Sequence, residues 1–197
     1  SDKKIHDNLF ISEPIMDTSL NSSNQVLVRI PDSKKPITDV ILSFDGQNLF
    51  DEKTSHFGSI FNLEKLIQTT EIDRNKNILV IALTSNNQRQ TQYNPYPRQT
   101  SEISSLHLKM IILDVIPSVL KNFKLDITKT KKHVLGASMG ALMAIKFSII
   151  NPEFNNIVCL SPAFWFGFPG IILDIKNLDK TTFLYLYTGE KEGHIFS

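Results

Sequence analysis

One cysteine in 197 residues, Cys159, rules out any disulfide within the chain. It sits in the apolar run Ile157-Val158-Cys159-Leu160, where a free thiol behaves as a small buried hydrophobe. The fold must therefore rest on packing, which fits a reducing compartment; the expected location is cytoplasmic, with a secreted or surface form as the alternative. An excess of either charge is missing too, since 21 Lys and Arg stand against 20 Asp and Glu for a formal net charge of +1. Without a basic field nothing displaces counterions from a phosphate backbone, so nucleic acid is not an expected partner. No apolar run approaches the roughly 20 residues that cross a bilayer, so no membrane span is expected. The His and Cys residues show no zinc-ligand spacing, and no G-x-x-x-x-G-K-[ST] phosphate loop occurs. Neither a metal nor another cofactor is expected.

What is present is ordinary globular material, 41% hydrophobic and 21% charged, in a length that suits one domain over residues 1–197. Short runs rich in Val, Ile, Leu and Phe recur at Gln25 to Ile30, Asp39 to Phe44, Asn77 to Thr84, His133 to Gly136, Asn156 to Ser161 and Thr182 to Tyr187. The last five are nearly continuous in hydrophobicity, as strands of a parallel sheet covered on both faces are. The first alternates and suits an antiparallel edge. Helical patterns separate them, over Phe61 to Gln68, about Ser101 to Lys121 with a kink expected at Pro117, Gly140 to Ile150, and about Phe164 to Lys176. Strand and helix alternation predicts an α/β fold with ligands beyond the carboxyl ends of the strands.

The most informative segment is Lys132-His133-Val134-Leu135-Gly136-Ala137-Ser138-Met139-Gly140-Ala141-Leu142. An apolar strand leads into G-x-S-x-G and then into an apolar helix, the context of a nucleophile elbow. Such a turn strains the serine backbone, exposes its hydroxyl above the sheet and aims the positive end of the following helix at it. Ser138 is the expected nucleophile, and the Met139 N–H can donate to a developing oxyanion. A second donor should come from the loop after an earlier strand. Phe44-Asp45-Gly46-Gln47-Asn48 supplies that loop, with Gly46 expected to free the backbone so that the Gln47 N–H points inward.

These segments resemble the esterase D-like group of α/β-hydrolases, which includes siderophore, feruloyl and acetyl esterases. Phe44 to Asp51 is similar to H-D-G-Q-N-L-F-D, Arg89-Gln90-Thr91-Gln92-Tyr93-Asn94-Pro95 to R-x-x-E-Y-x-P, and Asp114 to Pro117 to an E-L-K-P helix segment. Gly136 to Gly140 followed by Ser161-Pro162-Ala163-Phe164-Trp165-Phe166 resembles G-S-S-M-G and then S-P-S-F-W-F. The resemblance implies an α/β-hydrolase fold and a serine esterase acting on a small-molecule ester without a cofactor. It implies Ser138 as nucleophile, Gln47 and Met139 as the oxyanion hole, and Phe164 and Trp165 near the acyl pocket; Tyr93, Tyr96 and the aromatic run from Phe164 to Phe168 suggest an apolar or aromatic lining, with Tyr93 expected to bind substrate. It says nothing of oligomeric state.

The acid of the triad should follow the Thr182 to Tyr187 strand. Thr188-Gly189-Glu190-Lys191-Glu192-Gly193 resembles the family's acid loop, which selects Glu192, with Glu190 as the fallback. The family's histidine lies some tens of residues further on, and His6, His56, His107, His133 and His194 are poor substitutes. Either the sequence is part of a longer chain, so that the C-terminal strand and helix of the fold are missing from it, or the protein is a degenerate member without a base. The first is the expectation, because an uncovered sheet edge is an aggregation hazard. The alternatives are a non-catalytic binding protein and an acyltransferase using the same serine.

Overall fold

A computed structural model describes residues 2–17, 22–50 and 62–188. Its main sheet has eight strands in the order β1-β2-β5-β7-β6-β8-β9-β10, where β1 is Lys3–His6, β2 Leu9–Ile11, β5 Val26–Arg29, β6 Asp39–Ser43, β7 Ile78–Leu83, β8 Lys131–Ala137, β9 Asn156–Leu160 and β10 Phe183–Tyr187. The five strands from β7 to β10 in that order run parallel, and β1, β2 and β5 extend the sheet with antiparallel pairings. A hairpin of β3 (Ile15–Asp17) and β4 (Ser22–Asn24) forms a separate small sheet. The Gln25 to Ile30 run is antiparallel as expected but is no edge, because the β1–β2 hairpin pairs along its outer side.

One face of the sheet lies under α3 (Arg98–Met110), α4 (Ile116–Asn122) and α5 (Met139–Ile150); their Leu108, Val119, Leu142 and Phe147, with Ile111 from the turn between α3 and α4, pack in one core with Val40, Leu42, Ile81, Val134 and Ile157. The other face carries α1 (Leu63–Arg74), with Leu63 and Ile67 against Leu27, Val80 and Ala82. Arg29 of β5 fastens α1 through Glu64 at 2.8 Å and Glu71 at 2.5 Å. Helix α1 extends six residues beyond the predicted Gln68, and two short helices, α2 (Arg89–Gln92) and α6 (Gly170–Lys176), complete the set.

Helices α3 and α4 are continuous through a π-helical turn at Ile111–Val115. Pro117 has no N–H to close an ordinary turn, and the wider turn before it absorbs the mismatch without ending the helix. By length and composition alone Arg98–Asn122 could cross a membrane, yet its Leu108, Ile111, Val115 and Val119 are committed to the sheet core. Cover over the sheet is uneven. Strand β7 is buried at every residue, whereas β8 and β9 alternate between buried and half-buried positions. Continuous hydrophobicity there had predicted cover on both faces; among the described residues α5 supplies one side of it.

Candidate active site

Strands β7, β6, β8 and β9 are neighbours and parallel, so the loops at their carboxyl ends share one end of the sheet. Ser138 stands where β8 turns into α5, with φ 56° and ψ −120° and its side chain exposed. Backbone bonds hold it there: its N–H donates to Leu160 O at 2.9 Å, and its carbonyl accepts from Ala141 N at 3.2 Å and Ala163 N at 3.1 Å. The sharp turn is possible because a Cβ on Gly136 would stand 2.0 Å from Gly140 O, so only glycine lets strand and helix pass this closely. Helix α5 thus starts directly behind Ser138, where its unpaired N–H groups and dipole favour negative charge.

The loop after β6 lies beside this turn, with Asp45 Oδ2 only 3.2 Å from where a Gly140 Cβ would be. Its left-handed residue is Asp45, at φ 55°. Gly46 is needed for a different reason from backbone freedom, since a Cβ there would meet the Ala82 methyl at 2.9 Å. Gly46–Asn48 form a single 3-10 turn, closed by Asn48 N to Asp45 O at 3.0 Å. The Gln47 side chain turns away from Ser138 to the loop after β7, donating to Ser85 Oγ at 2.7 Å and accepting from Ser85 N at 2.9 Å.

Arg89, at the start of α2, reaches across both loops. Its Nε and Nη2 donate to the two Asp45 carboxylate oxygens at 2.9 and 2.8 Å, and Nη2 also approaches Ala137 O at 3.4 Å. Burial alone would lower the guanidinium pKa, but the hydrogen bonds and charge of Asp45 outweigh it and raise it above the ordinary value. The Arg89 guanidinium carbon sits 5.0 Å from the centroid of Tyr93. Tyr93, expected to line the substrate pocket, is 0% exposed, edge-on to Phe44, and its hydroxyl accepts from Asp45 N at 3.4 Å. Burial, with the Asp45 carboxylate next, pushes its pKa well above the ordinary value. Tyr93 underpins the loop from within the core.

Of the two aromatics expected near the acyl group, Phe164 is half-buried against the core, whereas Trp165 is 65% exposed, with Phe166 edge-on to it. Cys159 is buried, which pushes its thiol up to about 12, so it is no thiolate nucleophile at neutral pH. Glu192, Glu190, His56 and His194 lie outside the described residues, as does the side chain of His6. His133 donates or accepts at 2.8 Å with Asp39 at the amino end of the sheet, about 16 Å along the strand from Ser138 at 3.3 Å per residue. His107 is fully buried, with Nδ1 3.3 Å from Asp17. Among the described residues no three His, Cys, Asp or Glu side chains group where they could hold a metal ion. Sequence reasoning missed the pairing of Asp45 with Arg89 and of Gln47 with Ser85; the R-x-x-x-Y spacing was the available signal.

Residues 18–177 match the family described as Putative esterase. No curated protein matches the sequence. Among solved structures, the BES protein from Bacillus cereus superposes with a TM-score of 0.72 at 18% identity, covering 100% of this chain and 80% of that one. The siderophore hydrolase EstA from Aspergillus nidulans gives 0.68 at 20% identity, covering 94% and 70%. An IroE-like serine hydrolase from Shewanella oneidensis gives 0.65 at 15% identity and covers 88% of this chain, which spans 58% of the length of that one. At these identities the likeness is one of fold.

Proposed function

The chain belongs to the Putative esterase family, and from that premise we propose that it hydrolyses carboxylic esters through an acyl-enzyme on Ser138. Ser138 Oγ attacks the ester carbonyl, and the Met139 and Gln47 N–H groups receive the oxyanion. Collapse of the tetrahedral intermediate expels the alcohol, which takes the serine's proton from the base, and water then releases the acid. Glu192 is the proposed acid that orients the base. His107 and His133 are both engaged elsewhere, so the base is a histidine other than these two. Trp165 and Phe164 flank the acyl group, and the whole of residues 1–197 acts as one domain. Two of the fold neighbours are named as siderophore hydrolases, which favours a small-molecule ester as the class to test first.

The observation that carries this reading is the backbone of Ser138: a non-glycine residue at φ 56°, exposed, at the head of a helix. Strain of this kind persists only where the surroundings enforce it and concentrates at functional sites. Labelling with a fluorophosphonate, followed by peptide mapping, tests it. The adduct is expected on the peptide containing Ser138 and absent from Ser138→Ala; an adduct elsewhere, or none, refutes the nucleophile. The engagement of His107 and His133 favours one second reading, a hydrolase fold that binds a ligand in the same cleft without turning it over. Binding of p-nitrophenyl acetate with no release of p-nitrophenol would select it.

A further inference from the structure

The R-x-x-x-Y segment has no part in the chemistry just described, yet its arginine is the side chain that joins the two halves of the proposed oxyanion hole. We propose that Arg89 is a positioning residue: it sets the spacing between the Gln47 and Met139 N–H groups by gripping Asp45 on one side and Ala137 on the other. This rests on the reading of Ser138 as nucleophile. Arg89 spends one edge of its guanidinium, Nε and Nη2, on the two Asp45 carboxylate oxygens at 2.9 and 2.8 Å, two residues before Gln47. Its Nη2 is also 3.4 Å from Ala137 O, two residues before Met139. Asp45 is held in the left-handed region at φ 55°, where few residues other than glycine settle without support. Its carboxylate is 6% exposed and its N–H points to the Tyr93 hydroxyl. The Gln47 side chain is locked to Ser85 on its far side. The loop therefore has one backbone path, and Arg89 ties that path to the Ser138 turn.

Lysine offers a single point charge in place of a planar fork, so it cannot grip both carboxylate oxygens and reach Ala137 together. A shift of about 1 Å in a donor can cost about 100-fold in rate. Four proteins decide the matter: wild type, Arg89→Lys, Arg89→Gln, and the double variant Arg89→Gln with Asp45→Asn, which leaves no unpaired buried charge. Two measurements are made on each, the second-order rate of fluorophosphonate labelling and amide exchange over residues 44–49 and 136–141. Labelling is expected to slow about 10- to 100-fold in all three variants, with exchange faster over both segments. The double variant regains the wild-type melting temperature but not its labelling rate. Labelling within twofold of wild type in Arg89→Lys, or recovery of the rate in the double variant, overturns the role of the fork. If wild type itself does not label, the nucleophile assignment fails, while the exchange data still decide whether Arg89 ties the two segments: unchanged exchange in the variants refutes it.

Discussion

Two parts of the same sheet are held together by different means. At the carboxyl ends of β6, β7 and β8, side chains far apart in sequence cross-link the loops: Arg89 to Asp45 over 44 residues, Gln47 to Ser85 over 38. At β9 and β10 the parallel ladder does the work, and among the described residues no strand pairs with the outer side of β10, with Tyr185 and Tyr187 at 57% and 65% exposure. The difference separates what hydrophobicity specifies from what polar pairing specifies. Apolar runs suffice to build strands and stack them. Fixing a loop to a tenth of a turn needs directional bonds whose partners the surrounding core has already oriented. The braced end is therefore where substitution should be punished and the open edge where it should be tolerated, and that contrast can be pressed by graded changes.

The largest effect is expected at Gly136. A Cβ placed 2.0 Å from Gly140 O meets backbone, which cannot swing aside as a side chain would. Gly136→Ala should cost more than about 4 kcal/mol, in the class of substitutions that defeat folding. A soluble Gly136→Ala protein with a melting temperature near wild type would mean that β8 and α5 can separate, and the account of the turn would be wrong. Next comes a pair of aromatics. Tyr93 is fully buried against Phe44, so Tyr93→Ala should lose about 3–5 kcal/mol. Trp165 is mostly exposed, so Trp165→Ala should change stability by no more than about 0.5 kcal/mol. Trp165→Ala should instead raise KM for esters with a bulky acyl group, measured against p-nitrophenyl acetate. Equal stability losses at the two positions would erase the distinction between support and lining.

That pair also marks how far the sequence could be read. Strands β6 to β10 fall within about two residues of their expected ends because Asp39 to Phe44 or Asn77 to Thr84 contains apolar residues and little else. Strands β1 to β4 escaped, since Lys3–His6 and Ser22–Asn24 are short and polar and gain their structure from pairing alone. The motif placed Tyr93 near the site but not its direction, because a tyrosine in a core and one in a cleft look alike in a string of letters. The buried contacts of Gln92 with Asp17 and Asn24 span 75 and 68 residues, and no local pattern encodes such distances. Ser138 was legible because its geometry is local: strand, glycine, helix.

A smaller effect is expected on the open side. Tyr185 pairs with Val158 in the ladder and is largely exposed. Tyr185→Thr exchanges an aromatic strand former for a β-branched one and should cost less than about 1 kcal/mol. Urea denaturation of both proteins would show this, and a loss of stability as large as that at Tyr93 would mean that β10 is as firmly held as the braced end.

A small effect is also expected at the amino end of the strands, where polar pairing recurs without a loop to position. Asp39 of β6 meets His133 of β8 at 2.8 Å and Lys76 at 3.3 Å. Burial would raise its carboxyl pKa, but the bonds from His133, Thr38 and Lys76 together outweigh burial and hold it below the ordinary 3.8. A carboxyl whose folded pKa is depressed adds stability that is fully present above its unfolded value and is lost as pH falls through the folded value. Asp39→Asn should therefore reduce stability at neutral pH by less than about 1 kcal/mol, because its partners His133 and Lys76 are partly exposed and water screens the pairs from their side. The gap between wild type and variant should then close as the pH is lowered through the range below about 3.9. Urea denaturation of both proteins across that range measures it. A gap that stays constant into strong acid would mean that Asp39 contributes by shape and hydrogen bonding alone, as the neutral amide does, and that charge at this end of the sheet does none of the fastening that it does at the other.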